Sequence, residues 1–593
     1  MFQDNDDKQQ HQKLERHIIH SKTSLSDEDF DPFCEENKPP TELVVGTQVV
    51  HCGHYKGIFR ACQFALGFPG AFLLRKETSY YILILANFVV KEGFSMSEKY
   101  VLALDSGTIK NRAVIFNSKG EMVSYAEKKI SVNKPHKGWV EQDPDEIWST
   151  QIWTAKEAIQ LANISHRDIA GIGVTNQRET TIVWNKNTGR PVYPAISWES
   201  QQTEGICKRL VEQGLQEEIR QKTSLIINPY FSATKLCWIL ENVLGAREMA
   251  EKGELLFGTV DTWLMWKLSG GEIFATDYSN ASRTMMFNLR KLEWDAEILE
   301  HLGIPRRMLP EVCPSSHVFG ETDAAMIGSR IPIAGCLGNQ QADLFGEACF
   351  KKGMAKNTYG EGSFFLMNAG KKYHSSQNGL ITTIAWGIGK EITYALEGSV
   401  FVSGATLKWV KEGLGLIDSM SDSEWLAKQV PDSDGVYFVP AFRGLSAPYW
   451  DTETTGMIIG INEDTQRAHI VRAALEALAY QVRDVYESVV SDTGLEIKSL
   501  HVDGGASQNH ALMQFQADLL NIPVIRPYIA ETTALGAAFM AGLATGVWES
   551  VDELKKLWRE GMRFKPAMSE RGRAALYDGW QEAVSRVMGW PNK

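Results

Sequence analysis

A short apolar run, Tyr100–Leu104, stops at Asp105-Ser106-Gly107-Thr108 and leads at once into a second strand-like run, Asn111–Asn117. No other feature narrows the choice of fold as much. A strand that ends in Asp-x-Gly-Thr and doubles back makes a tight turn. Its glycine lets the backbone come close to an anion, and the Thr108 hydroxyl and backbone N–H groups are placed to donate. Asp105 at the strand end suits a hydrated Mg2+, which takes one or two carboxylates and keeps several waters. Alone, such a turn is a weak signal and more often structural. A second turn, Asp503-Gly504-Gly505, closes another strand at Leu500–Val502. Two such turns are able to face one nucleotide from both sides of a cleft. Neither fits GxxxxGK[ST], and no GxGxxG stands at a strand–helix junction, which disfavours P-loop and Rossmann enzymes.

The stretches around these turns are those of an α/β protein. Met122–Ile130 continues the strands, and a helix opens at Asp143-Pro144-Asp145-Glu146, with Asp as cap, Pro in the first turn and Glu three residues after the cap. Ile147, Trp148, Ile152 and Ala155 share a helical face, and Ile169–Thr175 reads as the next strand. A second series follows residue 350. It has strands at Phe364–Met367, Leu380–Trp386, Ile392–Leu396 and Val436–Val439, and helices at Gly404–Glu412, Arg467–Val490, Asn509–Leu520 and Thr533–Leu543. A chain of 593 residues is long enough for several domains, and the body divides into two α/β halves.

Residues 1–95 differ from this body. The first forty or so are polar and acidic, without periodicity, and read as disordered. Two apolar runs follow, Ala61–Leu74 and Tyr80–Val90. Each is shorter than the ~20 residues of a spanning helix, and Arg75-Lys76-Glu77 between them disfavours a membrane hairpin. No signal or transit peptide opens the chain, and Met96 reads as a fresh start. The segment is therefore taken as an appendage outside the fold. A formal net charge of −12 offers no basic field for nucleic acid. Eight cysteines without a CxxC pair point to a reducing, cytoplasmic setting. His51, Cys52, His54 and Cys62 lack the second ligand pair of a structural zinc site.

Several long strings carry a resemblance. They include Gly138-Trp139-Val140-Glu141-Gln142-Asp143-Pro144, Thr175-Asn176-Gln177-Arg178-Glu179-Thr180-Thr181, Leu255-Leu256-Phe257-Gly258-Thr259, Thr276-Asp277-Tyr278-Ser279-Asn280-Ala281-Ser282-Arg283-Thr284, Ala447-Pro448-Tyr449-Trp450-Asp451 and Glu531-Thr532-Thr533-Ala534-Leu535-Gly536. From Lys99 to about Trp590 the chain resembles the FGGY carbohydrate kinases, and within them the members acting on glycerol rather than xylulose or gluconate. The resemblance implies an actin-like ATPase fold: two ribonuclease-H-like domains, here 96–350 for glycerol and phosphate and 351–593 for nucleotide, flanking a cleft. It implies transfer of the γ-phosphoryl group of ATP, with Mg2+ at Asp105, to a terminal glycerol hydroxyl. It also implies a homo-oligomer, dimer or tetramer. By position, Arg178, Glu179, Tyr230 and Gln340 match residues that hydrogen-bond glycerol, and Trp198 and Phe364 match aromatics that pack on its carbons. Gly107, Thr108, Arg112, Gly404, Gly505 and Asn509 match phosphate and nucleotide positions. The retained polyol set argues against a different polyol substrate.

Departures from the family pattern gather around the phosphate. The family's Gly-Asp-Gln-Gln, whose Asp accepts the glycerol proton, is Gly338-Asn339-Gln340-Gln341 here. An amide positions a hydroxyl but accepts no proton, and general-base catalysis contributes ~10²–10⁴-fold. Ile109 and Lys110 replace two hydroxyl donors, and the second phosphate loop, Tyr-Gly-Thr-Gly in the family, is Tyr359-Gly360-Glu361-Gly362. Glu361 is expected to repel the phosphates unless Lys110 or Mg2+ neutralises it. Lys408 replaces a nucleotide-binding Gln, and Gln201-Gln202 an Arg pair. The expectation is a glycerol-phosphorylating enzyme with reduced turnover. The alternative is an inactive family member that binds glycerol or nucleotide and acts through a partner.

Overall fold

The computed structural model describes residues 98–451, 453–588 and 590, and before them three strands, Thr41–Val45, Gln48–Cys52 and Leu73–Arg75. Met1–Ser97 and Glu98–Lys593 are separate units. In the first, Thr41–Val45 pairs antiparallel with both other strands. The acidic stretch, the second apolar run and most of the first lie outside the described residues.

In the body, the strands of its large sheet are numbered in chain order. β1 (Tyr100–Ser106), β2 (Lys110–Asn117) and β3 (Met122–Lys129) form an antiparallel meander. Helix α1 (Pro144–Ala162) returns the chain to β4 (Ile169–Asn176), parallel to β1. β5 (Ser316–Glu321) pairs antiparallel with β6 (Pro332–Gly338), which runs parallel to β4. The second half repeats the plan with β7 (Ala355–Tyr359), β8 (Ser363–Gly370), β9 (Ile381–Ile388), β10 (Glu391–Val400), β11 (Leu500–Asp503), β12 (Val524–Pro527) and β13 (Glu560–Phe564). Its run β10-β8-β7-β11-β12 matches β3-β2-β1-β4-β6 in order and direction. A single pair, Ser316 with Ile388, joins the halves into one 13-stranded sheet.

This repeat corrects the pairing of the two Asp–Gly turns. β1 corresponds to β7, so the counterpart of Asp105-Ser106-Gly107 is Tyr359-Gly360-Glu361-Gly362. Asp503-Gly504-Gly505 ends β11, the counterpart of β4. At that turn Gly504 has φ +84°, and a Cβ there would lie 2.5 Å from the Tyr359 carbonyl oxygen. Only glycine allows β11 to cross the end of β7 so closely.

The helices that position the site are α2 (Asn339–Gly346), α3 (Gly404–Glu412), α4 (Arg467–Thr493), α5 (His510–Leu520) and α6 (Thr532–Thr545). β1 is buried along nearly its whole length because α1 and α6 pack on it, which is why it reads as an unbroken apolar run. α6 is apolar on every side, as a helix inside a molecule must be. It packs against α2 through facing glycines. A Cβ on Gly536 would lie 1.8 Å from the Ala342 oxygen, and one on Gly346 2.0 Å from that of Thr532. The α1 cap differs in part from expectation. Asp143 accepts the Asp145 N–H at 2.9 Å, but Glu146 turns away from the cap to hold the Ser131 hydroxyl and N–H at 3.0 and 3.2 Å. No helix among the described residues is long and apolar enough to cross a membrane.

Candidate active site

The β1–β2 turn is closed by Gly107 N–H donating to the Lys110 carbonyl at 3.0 Å. Gln142 and Gln177 hold the carbonyls of Thr108 and Gly107 at 2.7 and 3.3 Å. Asp105 is buried, and Arg112, its partner across the ladder, donates to Oδ2 at 3.0 Å and to Glu531 at 3.2 Å. Burial raises the Asp105 carboxyl, an effect that Arg112 opposes. Its Oδ1 makes no hydrogen bond among the described residues. Ile109 is exposed. Lys110 pairs with Glu127, which lies near it on the adjoining strand. Lys110 is therefore committed to Glu127 within its own sheet edge rather than to Glu361.

Beyond the turn lies a buried ionic cluster. Arg178 donates to both oxygens of Glu397, at 2.5 and 2.9 Å, to the Tyr230 hydroxyl at 3.3 Å and to Gln341 at 3.3 Å. Arg283 donates to Glu179 at 2.8 Å and to Glu397 at 2.9 Å. Two guanidinium groups thus balance two carboxylates. Burial works against the Glu397 carboxylate, yet the two arginines hold its pKa down to about 2. Glu179 keeps Oε2 without a hydrogen bond among the described residues. The walls are aromatic: Trp198 meets Tyr230 at 5.7 Å and Phe364 at 6.2 Å between ring centroids. Trp198 also donates its indole N–H to the Thr108 hydroxyl at 2.9 Å. One side chain thus ties the aromatic wall to the β1 turn.

α2 begins at Asn339, whose Oδ1 accepts the Gln340 N–H at 2.9 Å. Lys356 of β7 donates to Gln340 Oε1, to Thr358 at 2.6 Å, and pairs with Asp343 at 2.8 Å. Burial raises the Asp343 carboxyl, but Lys356 outweighs it and the net shift is downward. Asp503 stands nearby, its carboxyl raised by burial and by Asp343, with Oδ1 buried and unpartnered. The β7–β8 turn opens onto a groove of about 310 Å³ lined by Lys134, Glu361, Lys408, Trp409, Glu412, Phe442 and Arg443, among others. Gly404 donates its N–H to the Gly360 carbonyl at 3.0 Å, so the α3 terminus is used to fix that turn. Asn509 caps α5, accepting from Leu512 at 3.0 Å and donating to Ser423 at 3.2 Å. Gly505 faces open space.

Comparison with known proteins decides the family. Residues 100–346 match the N-terminal domain of the FGGY family of carbohydrate kinases, and residues 355–545 its C-terminal domain. Glycerol kinase 2 of Thermotoga maritima is 57% identical over 495 residues, 84% of this chain and 100% of that protein. The chain belongs to the FGGY family of carbohydrate kinases. Bacillus subtilis glycerol kinase is 54% identical over 494 residues, 83% of this chain and all of that protein. The crystal structure of Plasmodium falciparum glycerol kinase with ADP superposes with a TM-score of 0.78 at 34% identity, covering 83% of this chain and 98% of that one.

Within this FGGY chain, Arg178, Glu179, Trp198, Tyr230 and Phe364 come together around one site beside the Asp105 turn. Glu361 and Lys408 share the neighbouring groove. Three further residues of this cluster were not among the expected ones. Arg283 and Glu397 complete the charge balance, and a charged residue inside the apolar run of β10 was a readable signal for Glu397. Lys235, fully buried, donates to the carbonyls of Pro229, Tyr230 and Phe231 at 2.6, 2.6 and 3.1 Å and so grips the turn that presents Tyr230. Cys207, Cys237, Cys313, Cys336 and Cys349 are free and buried, and no group of three metal-ligating side chains gathers among the described residues.

Proposed function

We propose that this FGGY kinase transfers the γ-phosphoryl group of ATP to a terminal hydroxyl of glycerol, giving sn-glycerol 3-phosphate, and does so slowly. The observation that carries the reading is Trp198. Its ring forms the polyol wall with Tyr230 and Phe364, while its N–H holds Thr108 in the phosphate turn. A triol suits this setting, since aromatic faces cover its carbons and free polar groups meet its hydroxyls. Each hydroxyl left unpaired in a dry site would cost about 1–3 kcal/mol. The relatives that match over their full length are glycerol kinases.

Phosphoryl transfer asks a protein mainly for positioning and charge stabilisation. Glu179 accepts from a glycerol hydroxyl through its free Oε2, and Tyr230 and Gln340 donate. The Thr108 hydroxyl and the open face at Gly505 receive phosphate and nucleotide. Asp105 fits Mg2+ through its uncommitted Oδ1, and a bound Mg2+ would supply neutralisation of phosphate charge. Asn339 occupies the base position and cannot take the proton. The hydroxyl therefore loses its proton late, to an oxygen of the transferring phosphoryl group, as its own oxygen bonds to phosphorus and the bridge to ADP breaks. The absence of a base equally favours a second reading, a family member that binds without turnover. Calorimetric glycerol binding, run beside steady-state ADP release, separates them: binding with slow, glycerol-dependent ADP release supports the kinase, and binding without release supports the second.

A further inference from the structure

The Gln340 amide has two chemically different ends, and what surrounds it determines which one meets a ligand. Lys356 is wholly buried and its ammonium has only N–H donors. It contacts Gln340 at Oε1, the one end of that amide able to accept. The ammonium is itself anchored by Asp343 at 2.8 Å and by the Thr358 hydroxyl at 2.6 Å. Asp343 is locked in turn, accepting from Thr358 at 2.7 Å and Thr532 at 2.5 Å. Asp343 and Gln340 both stand on α2, so the clamp joins the first turn of that helix to β7. Gln340 Nε2 makes no hydrogen bond among the described residues.

We infer that Lys356 is a positioning residue that turns the Gln340 amide so that it meets the polyol only as a hydrogen-bond donor. The inference rests on the glycerol reading for its ligand but not for the clamp itself. A donor facing the ligand selects a group with a lone pair. A hydroxyl satisfies it, whereas an ammonium in the same place sets donor against donor. The site then discriminates between glycerol and its amino analogues by a chain of contacts that begins at Asp343.

The test has two arms on the full chain. The first needs no ligand and follows thermal denaturation of Gln340→Glu in two backgrounds, native and Lys356→Met with Asp343→Asn, a pair that removes both charges together and so avoids stranding the buried Asp343 carboxylate. The clamp predicts that Gln340→Glu lowers the midpoint several degrees less where Lys356 is present. Equal shifts overturn it, whatever glycerol does. The second arm measures, by calorimetry, the affinity ratio of glycerol to 2-amino-1,3-propanediol and 3-amino-1,2-propanediol. In the Lys356→Met, Asp343→Asn chain the freed amide is able to offer its oxygen, and at least one amino analogue should gain threefold or more relative to glycerol. Weaker binding of all three with unchanged ratios marks a merely structural role and overturns the inference. Failure of the native chain to bind glycerol while the first arm shows coupling removes the glycerol reading and leaves the clamp standing.

Discussion

At the scale of single residues, the altered phosphate region is better balanced than its sequence implies. Glu361 shares a groove with Lys134, Lys408 and Arg443, although Arg443 also pairs with Glu199 at 3.1 Å. Lys408 and Lys134 are the groove cations left to offset Glu361 beside a bound nucleotide under the proposed function. Lys408→Gln alone should weaken ATP binding about tenfold, and adding Glu361→Thr should recover most of the loss. Residues sharing a site couple by ~0.5–3 kcal/mol, so additive effects on the KM for ATP would show that the two act separately. The polyol cluster makes a sharper prediction. Glu397→Gln leaves two buried arginines short of a counter-charge, and breaking a buried pair costs about 3–5 kcal/mol, readable in urea denaturation. The pH dependence has a definite sign. The Glu397 pKa is about 2 in the fold against an ordinary 4.5. Its contribution is whole above about 4.5 and is lost as pH falls toward 2. The native chain should lose stability through that window, and Glu397→Gln should lose less.

At the scale of elements, α2 and α6 set the geometry of the catalytic end. Gly536→Ala would place a methyl group 1.8 Å from the Ala342 oxygen, forcing the helices apart and moving Asn339 and Gln340 with them. Overpacking of this kind costs about 1–3 kcal/mol. The variant should melt lower and bind glycerol more weakly, whereas an unchanged affinity would mean the crossing does not control the site. The elements themselves were largely legible. Gly404–Glu412 matches α3 at both ends, and β1, β4 and α4 depart from the reading by three residues or fewer, because long apolar patterns and capping residues mark them. What was not legible is pairing across long separations. Nothing local in Asp503-Gly504-Gly505 says that it ends the counterpart of β4 rather than of β1. Lys110 was read toward the phosphates, yet the register of β2 against β3 brings it to Glu127. The residues proposed for the polyol were named through family resemblance, not through spacing, since Arg178, Tyr230 and Phe364 converge only when the two halves fold together.

At the scale of the whole molecule, the Thermotoga maritima relative is covered over its full length by 495 residues of this chain, and the family match begins at residue 100. A chain starting at Met96 should therefore melt at the temperature of the full chain and bind glycerol with the same affinity; a drop of several degrees would give residues 1–95 a part in the fold. The central claim is that an intact polyol site is joined to a phosphate site whose turnover is limited chiefly by the missing base at Asn339. Asn339→Asp puts a proton acceptor back where general-base catalysis is worth ~10²–10⁴-fold, while the clamp at Gln340 and the cations around Glu361 stay in place. The most direct measurement is the rate of sn-glycerol 3-phosphate formation, followed by phosphorus NMR with saturating glycerol and ATP·Mg2+, for the native chain and Asn339→Asp side by side. The account predicts a native rate well below the ~1–100 s⁻¹ of ordinary kinases and a gain of at least about a hundredfold in the variant. A native chain already turning over in that range, or a variant no faster than the native chain, would contradict it.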